Sequence, residues 1–181
     1  TAGAYADGYY YAERTQTAAN GIMMPVELVC YDIERNQLST VGPLSGFTSH
    51  INDMTYDYST GTMYAISTYE NAYSNLFTID LGNAKSKVVA SLDRCFFTLA
   101  CTYDGQLYGI SFNGEFCKID KNTGAVEVIG ATGWHPNYYQ SMEFDHTDGT
   151  LYWAANLKEG VGETDCIASV DLATGAATSV A

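Results

Sequence analysis

An all-β fold of four repeated, four-stranded antiparallel blades is indicated by three features of this 181-residue chain. A turn motif that ends in Gly, followed by an apolar residue and Tyr, recurs about every 44 residues. A second strand motif, ending in Asp, recurs in step with it. Gly-bearing turns of hairpin length separate short segments rich in aromatic and β-branched residues.

The turn motif reads Asp57-Tyr58-Ser59-Thr60-Gly61-Thr62-Met63-Tyr64, then Asp104-Gly105-Gln106-Leu107-Tyr108, then Asp145-His146-Thr147-Asp148-Gly149-Thr150-Leu151-Tyr152. A shorter copy, Asp7-Gly8-Tyr9-Tyr10-Tyr11, stands at the start. The aligned Tyr11, Tyr64, Tyr108 and Tyr152 are 53, 44 and 44 residues apart. A strand is expected before each turn, at 51–56, 97–103 and 139–144, with a partial one at 4–7. The second motif follows as Leu28-Val29-Cys30-Tyr31-Asp32, Leu76-Phe77-Thr78-Ile79-Asp80, Phe116-Cys117-Lys118-Ile119-Asp120 and Ile167-Ala168-Ser169-Val170-Asp171. Turns such as Asn122-Thr123-Gly124 and Ala173-Thr174-Gly175 lead into outer strands at 38–41, 87–92, 126–129 and 177–180. Four short strands in about 44 residues make a β-propeller blade, with repeats near 1–45, 46–93, 94–135 and 136–181. A sandwich also has many short strands but does not repeat its sequence at this period.

Composition supports strands. Fifteen Tyr, seven Phe and two Trp sit in a chain that is 46% apolar, too apolar for disorder. The net charge of −13 disfavours nucleic acid and anionic membrane surfaces, both of which select Lys and Arg. No apolar run approaches the ~18 residues of a membrane span, and no basic, apolar leader is present. The chain starts at Thr1, as a processed product or a fragment would. The five cysteines form no CxxC and no zinc spacing. In an extended segment Cys95 and Cys101 stand ~20 Å apart, too far to bridge. Most of the five are expected to be buried thiols, with one bridge left open as a possibility. Asp57, Asp104 and Asp145 are expected to bond their own turn backbones. Calcium is the competing reading, but the dense D-x-D-x-D-G spacing is missing. No metal or other cofactor is called for.

The pattern D-x-x-[ST]-G-x-[LM]-Y, a strand ending in [IV]-D, then x-x-T-G-x resembles the secreted propeller repeats of Bacteroidetes-type surface proteins. It covers essentially the whole chain. The resemblance implies an exported, non-catalytic module, extracellular or at the cell surface, often beside adhesion or anchoring domains. The WD dipeptide and the kelch double Gly are both lacking, which points away from intracellular scaffold propellers. Four blades are few for a propeller. The chain is a four-bladed ring, half of a ring that pairs with a second copy, or part of a larger propeller. Unpaired edges favour the latter two. Its expected partners are other parts of the same protein or a second copy, together with a ligand.

With strands labelled A to D from the centre outward, the A–B and C–D turns share one face and look structural. The B–C loops (14–25, 68–75, 113–115 and 156–165) and the D–A loops share the other. The B–C loops carry Tyr69, Glu70, Tyr73, Lys158, Glu159, Glu163 and Asp165. The D–A loops carry His50, Asn52, Arg94, Phe96 and the segment Trp134-His135-Pro136-Asn137-Tyr138-Tyr139-Gln140. Variable loops on a rigid scaffold are where binding residues gather. Flat aromatics beside amides and a His suit a sugar ring or a protein surface. Candidate ligand-binding residues are therefore Trp134, His135, Asn137, Tyr138, His50, Tyr69 and Tyr73. Each also has a plain structural reading, above all Trp134 and Tyr139 as packing between blades. The function expected is a binding or adhesion module for a protein or glycan. The alternatives are a structural spacer and a propeller lyase or hydrolase. No G-x-S-x-G, HExxH or GxGxxG supports the enzyme, and His146 lies on the face opposite His50 and His135.

Overall fold

A computed structural model of the chain describes residues 2–17, 19, 21, 23–47, 49–69, 72–158 and 165–180. Four antiparallel four-stranded blades form a ring, a four-bladed β-propeller, and the described residues contain no helix. Blade 1 is β1 (Gly3–Ala6), β2 (Tyr9–Thr17), β3 (Met23–Asp32) and β4 (Gln37–Pro43). Blade 2 is β5 (Asp53–Asp57), β6 (Thr62–Tyr69), β7 (Tyr73–Ile79) and β8 (Ser86–Ser91). Blade 3 is β9 (Ala100–Cys101), β10 (Leu107–Ile110), β11 (Glu115–Ile119) and β12 (Val126–Ala131). Blade 4 is β13 (Ser141–Asp145), β14 (Thr150–Ala155), β15 (Cys166–Val170) and β16 (Ala177–Ser179). The repeat tyrosines occupy one register position, Tyr11 facing Ala4, Tyr64 facing Thr55, Tyr108 facing Ala100 and Tyr152 facing Glu143.

The turn acids do local work. Asp57 accepts hydrogen bonds from the Ser59 N–H at 2.9 Å and its hydroxyl at 2.6 Å. Asp145 does the same with Thr147, at 2.8 and 2.6 Å. Asp120 and Asp171 each cap two backbone N–H groups of the C–D turn. Asp104 differs: its carboxylate accepts from the Thr102 hydroxyl instead.

Two expectations need correction. Within the expected loops 14–25 and 68–75, residues 14–17, 23–25, 68–69 and 73–75 are strand, because β2 and β3 pair from Tyr9–Asp32 out to Thr17–Met23, and β6 and β7 out to Tyr69–Tyr73. The innermost strand of blade 3, expected over 97–103, is reduced to Ala100–Cys101. There the Thr98 hydroxyl takes the Ile110 N–H at 2.9 Å and replaces a ladder bond.

Three seams between blades are filled by apolar clusters. Ala4, Leu28 and Phe47 meet Met63 and Phe77 between blades 1 and 2. Tyr64, Ile66 and Leu76 meet Leu99 and Leu107 between blades 2 and 3. Ile110 and Phe116 meet Met142, Leu151 and Trp153 between blades 3 and 4. Each fully buried large side chain contributes about 1.5–3 kcal/mol. Between blades 4 and 1 the described residues form no such cluster.

Buried carboxylates pin the centre. Asp53 is 1% exposed and accepts from the N–H groups of Leu99 (2.9 Å) and Met142 (3.2 Å) and from the Ser141 hydroxyl (3.1 Å). Burial, with the nearby Glu143 charge second among the raising causes, pushes the Asp53 carboxyl well above the usual range. Glu13 takes the N–H groups of Ala2 and Ile51 in the same manner. All five cysteines are free thiols, four of them buried, and burial raises Cys101 to about 12 and Cys117 to about 11.

Candidate functional site

Three D–A loops, 44–52, 92–99 and 132–140, come together at one end of the ring axis. They enclose a recess of about 310 Å³ lined by His50, Asn52, Phe97, Tyr139, Gln140 and Ser141, among others. Each wall is held from behind. The Thr68 N–H donates to Asn52 Oδ1 at 2.8 Å and fixes the amide's orientation. Trp153 Nε1 donates to Gln140 Oε1 at 2.7 Å, while the Gln140 amide nitrogen donates to the Asn137 carbonyl. The recess wall is thereby tied to the buried seam between blades 3 and 4. Burial lowers the His50 pKa, so the ring is neutral at neutral pH.

Tyr139 is the outlier of the site. Its side chain is 77% exposed, and its backbone is left-handed with φ of 60°. For a bulky residue that conformation is strained by about 1–3 kcal/mol. Its ring lies 6.5 Å from Tyr138, which in turn meets Phe97 edge-on at 5.4 Å. Phe112 joins this cluster, with Lys158 Nζ 4.0 Å from its ring centre.

The sequence candidates separate. His50 lines the recess, and Tyr138 borders it through Phe97. Trp134 turns into the seam, 5.5 Å from Trp153, as in its packing reading. His135 has an exposed side chain, while its carbonyl accepts from the Lys158 N–H. Asn137 acts through its backbone, donating to Asn156 and accepting from Gln140. Tyr69 and Tyr73 pair at 5.7 Å where the β6–β7 hairpin ends, and neither lines the recess. Glu70, Glu159 and Glu163 lie outside the described residues. Phe97 and Ser141 were not singled out in the sequence, since they read as strand positions.

Glu143 sits on the innermost strand of blade 4. Its side chain is open to solvent, yet protein crowds its carboxyl, and burial raises its pKa to about 7. Solvent access tempers that shift without reversing its direction. On the opposite face, Tyr58 stacks on Tyr103 at 5.5 Å, and His146 meets both rings edge-on at 5.2 and 5.9 Å. Among the described residues, no three His, Cys, Asp or Glu side chains are placed to hold a metal ion.

The sequence matches no protein-family model and no curated protein. Solved structures resemble it in fold. A Bacteroides thetaiotaomicron protein of unknown function has a TM-score of 0.65 at 13% identity, over 98% of this chain and 42% of that one. An auxiliary nutrient binding protein from the same organism has a TM-score of 0.57 at 15% identity, over 95% of this chain and 38% of that one. A gluconolactonase from Xanthomonas campestris has a TM-score of 0.53 at 14% identity, over 90% of this chain and 59% of that one. The chain thus spans less than half the length of the two Bacteroides proteins. At these identities the likeness is one of propeller fold.

Proposed function

We propose that this chain is a non-catalytic binding module of an exported surface protein, holding a protein or glycan ligand on the face of the B–C and D–A loops. Within that reading the recess favours a saccharide. The observation that carries it is Tyr139, a large ring held out to solvent by a strained backbone at the lip of a polar recess. A flat ring of this kind stacks on the apolar face of a sugar. The Asn52 amide, the Ser141 hydroxyl and a neutral His50 supply hydroxyl partners beneath it. About 310 Å³ lies at the small end of ligand pockets, enough for one or two sugar rings. The fold-level neighbour described as nutrient binding is compatible with this reading. Export follows from the resemblance of the repeat, and no cofactor is required.

The test is calorimetric titration of the chain with a panel of neutral oligosaccharides. One or more should bind, and Tyr139→Ala and Asn52→Ala should each weaken that binding at least tenfold with the melting temperature nearly unchanged. Silence across the panel at millimolar sugar would end the saccharide reading.

A further inference from the structure

The polar groups that line the recess have their hydrogen-bonding roles set by the partners behind them. Asn52 Oδ1 takes the Thr68 N–H, and because a backbone N–H can only donate, the amide cannot be turned over. Asn52 Nδ2 has no acceptor among the described residues, so it is left to the recess as a pure donor. Gln140 is bound at both ends of its amide, by Trp153 and by the Asn137 carbonyl. Ser141 is committed as well. Its hydroxyl donates to Asp53 Oδ1 beside the Met54 N–H at 3.0 Å, while the N–H groups of Leu99 and Met142 hold Oδ2. Donors converge on that carboxyl from every side, so it accepts, and the Ser141 oxygen is left to accept in turn.

Asn52 and Ser141 are neighbours because Asp53 follows Asn52 in the chain and holds Ser141 from across the axis. The recess thus offers a fixed N–H donor next to a hydroxyl acceptor, with apolar surface from Phe97 and Ala154 on the same lining. A sugar hydroxyl can satisfy either polar group but leaves the apolar surface uncovered. An acetamido substituent meets all three at once. Its carbonyl accepts from Asn52 Nδ2, its N–H donates to Ser141 Oγ, and its methyl group lies on Phe97 and Ala154.

We infer that the recess selects sugars that carry an N-acetyl group, the acetamido hexosamines. This rests on the saccharide reading of the recess and adds the substituent that it recognises. Tyr139 stacks on the sugar ring at the lip, and Asn52 and Ser141 read the acetamido group beneath it.

The test is calorimetric titration of the chain with two matched pairs of sugars: N,N′-diacetylchitobiose beside cellobiose, and N-acetylgalactosamine beside galactose. The members of each pair differ by a hydroxyl in place of the acetamido group. An acetylated sugar should bind about tenfold more tightly than its counterpart, the difference that one unmade hydrogen bond produces. Asn52→Asp keeps the oxygen that takes the Thr68 N–H and removes the donor, so the preference should vanish. Ser141→Ala should shrink it, and Asn52→Asp decides should Ser141→Ala lose its fold by circular dichroism. Equal affinities within a pair, binding confined to sugars without an N-acetyl group, or a folded Asn52→Asp that keeps the full preference overturns the N-acetyl assignment and leaves the saccharide reading standing. Silence of these four sugars and of the whole neutral panel ends both.

Discussion

Tyr139 shows at the residue scale how stability and function can be pulled apart. Gly adopts a φ of 60° freely, so Tyr139→Gly should relieve strain and leave stability unchanged or higher by up to about 1 kcal/mol. The same change should abolish ligand binding, which chemical denaturation beside titration would show. Asp57 is the contrasting case. Its side chain is fully buried, and Lys121 Nζ lies 2.6 Å from its carboxylate. Burial acts to raise this carboxyl, but Lys121, Ser59 and Thr60 outweigh it and hold its pKa at about 2. Its stabilising effect is therefore present above the ordinary carboxyl range near 3.9 and lost as the pH falls toward 2. Lys121→Ala should destabilise the fold by about 1–3 kcal/mol at neutral pH and flatten the acid limb of a denaturation series. Glu143 runs the other way. With its folded pKa raised to about 7, the stability it contributes is complete below its unfolded value and lost as the pH rises through 7. Glu143→Gln should shrink the fall in melting temperature between pH 5 and pH 8, the remainder belonging to the other buried carboxyls raised by burial, Asp53 and Glu13. An unchanged fall would assign that pH dependence to another group.

At the scale of the single element, the Gly-bearing turns separate local strain from seam packing. Gly149 and Gly124 both have positive φ, 79° and 73°. A Cβ at Gly149 would meet nothing within 4 Å, whereas at Gly124 it would run into the Ala90 side chain of blade 2. Gly149→Ala should cost about 1 kcal/mol of backbone strain, and Gly124→Ala distinctly more, in parallel urea titrations. These turns were plain in the sequence, because Gly four residues after a turn-opening Asp, as in 120–124 and 145–149, has one economical local structure. The extents of β2, β3, β6 and β7 were not, since Arg14, Thr15 and Gln16 look like loop residues until their pairing across the hairpin is seen. The recess was only partly legible. Its lining comes from three loops spread over about 90 residues, and no sequence signal marks Tyr139 as left-handed. Asp53 and Glu13 were equally hidden, as their N–H partners lie 38 to 89 residues away or across a sheet.

For the whole molecule, the difference between a filled seam and an unfilled one should be measurable as energy. Phe116→Ala, in a filled seam, should cost about 3–5 kcal/mol. Ile167→Ala, at the matching but exposed position of blade 4, should cost under about 0.5 kcal/mol. The Asp53 carboxylate adds something a simple row of blades lacks. Stacked repeats couple mainly to their immediate neighbours, so such arrays tend to melt stepwise from the ends. Asp53 on blade 2 binds the backbone of blade 3 and also that of blade 4, skipping a neighbour. Blade 4 therefore cannot fray away without stripping a hydrogen bond from a fully buried carboxylate. Blades 2, 3 and 4 are expected to unfold as one cooperative unit, and native-state hydrogen exchange should show their inner strands opening together.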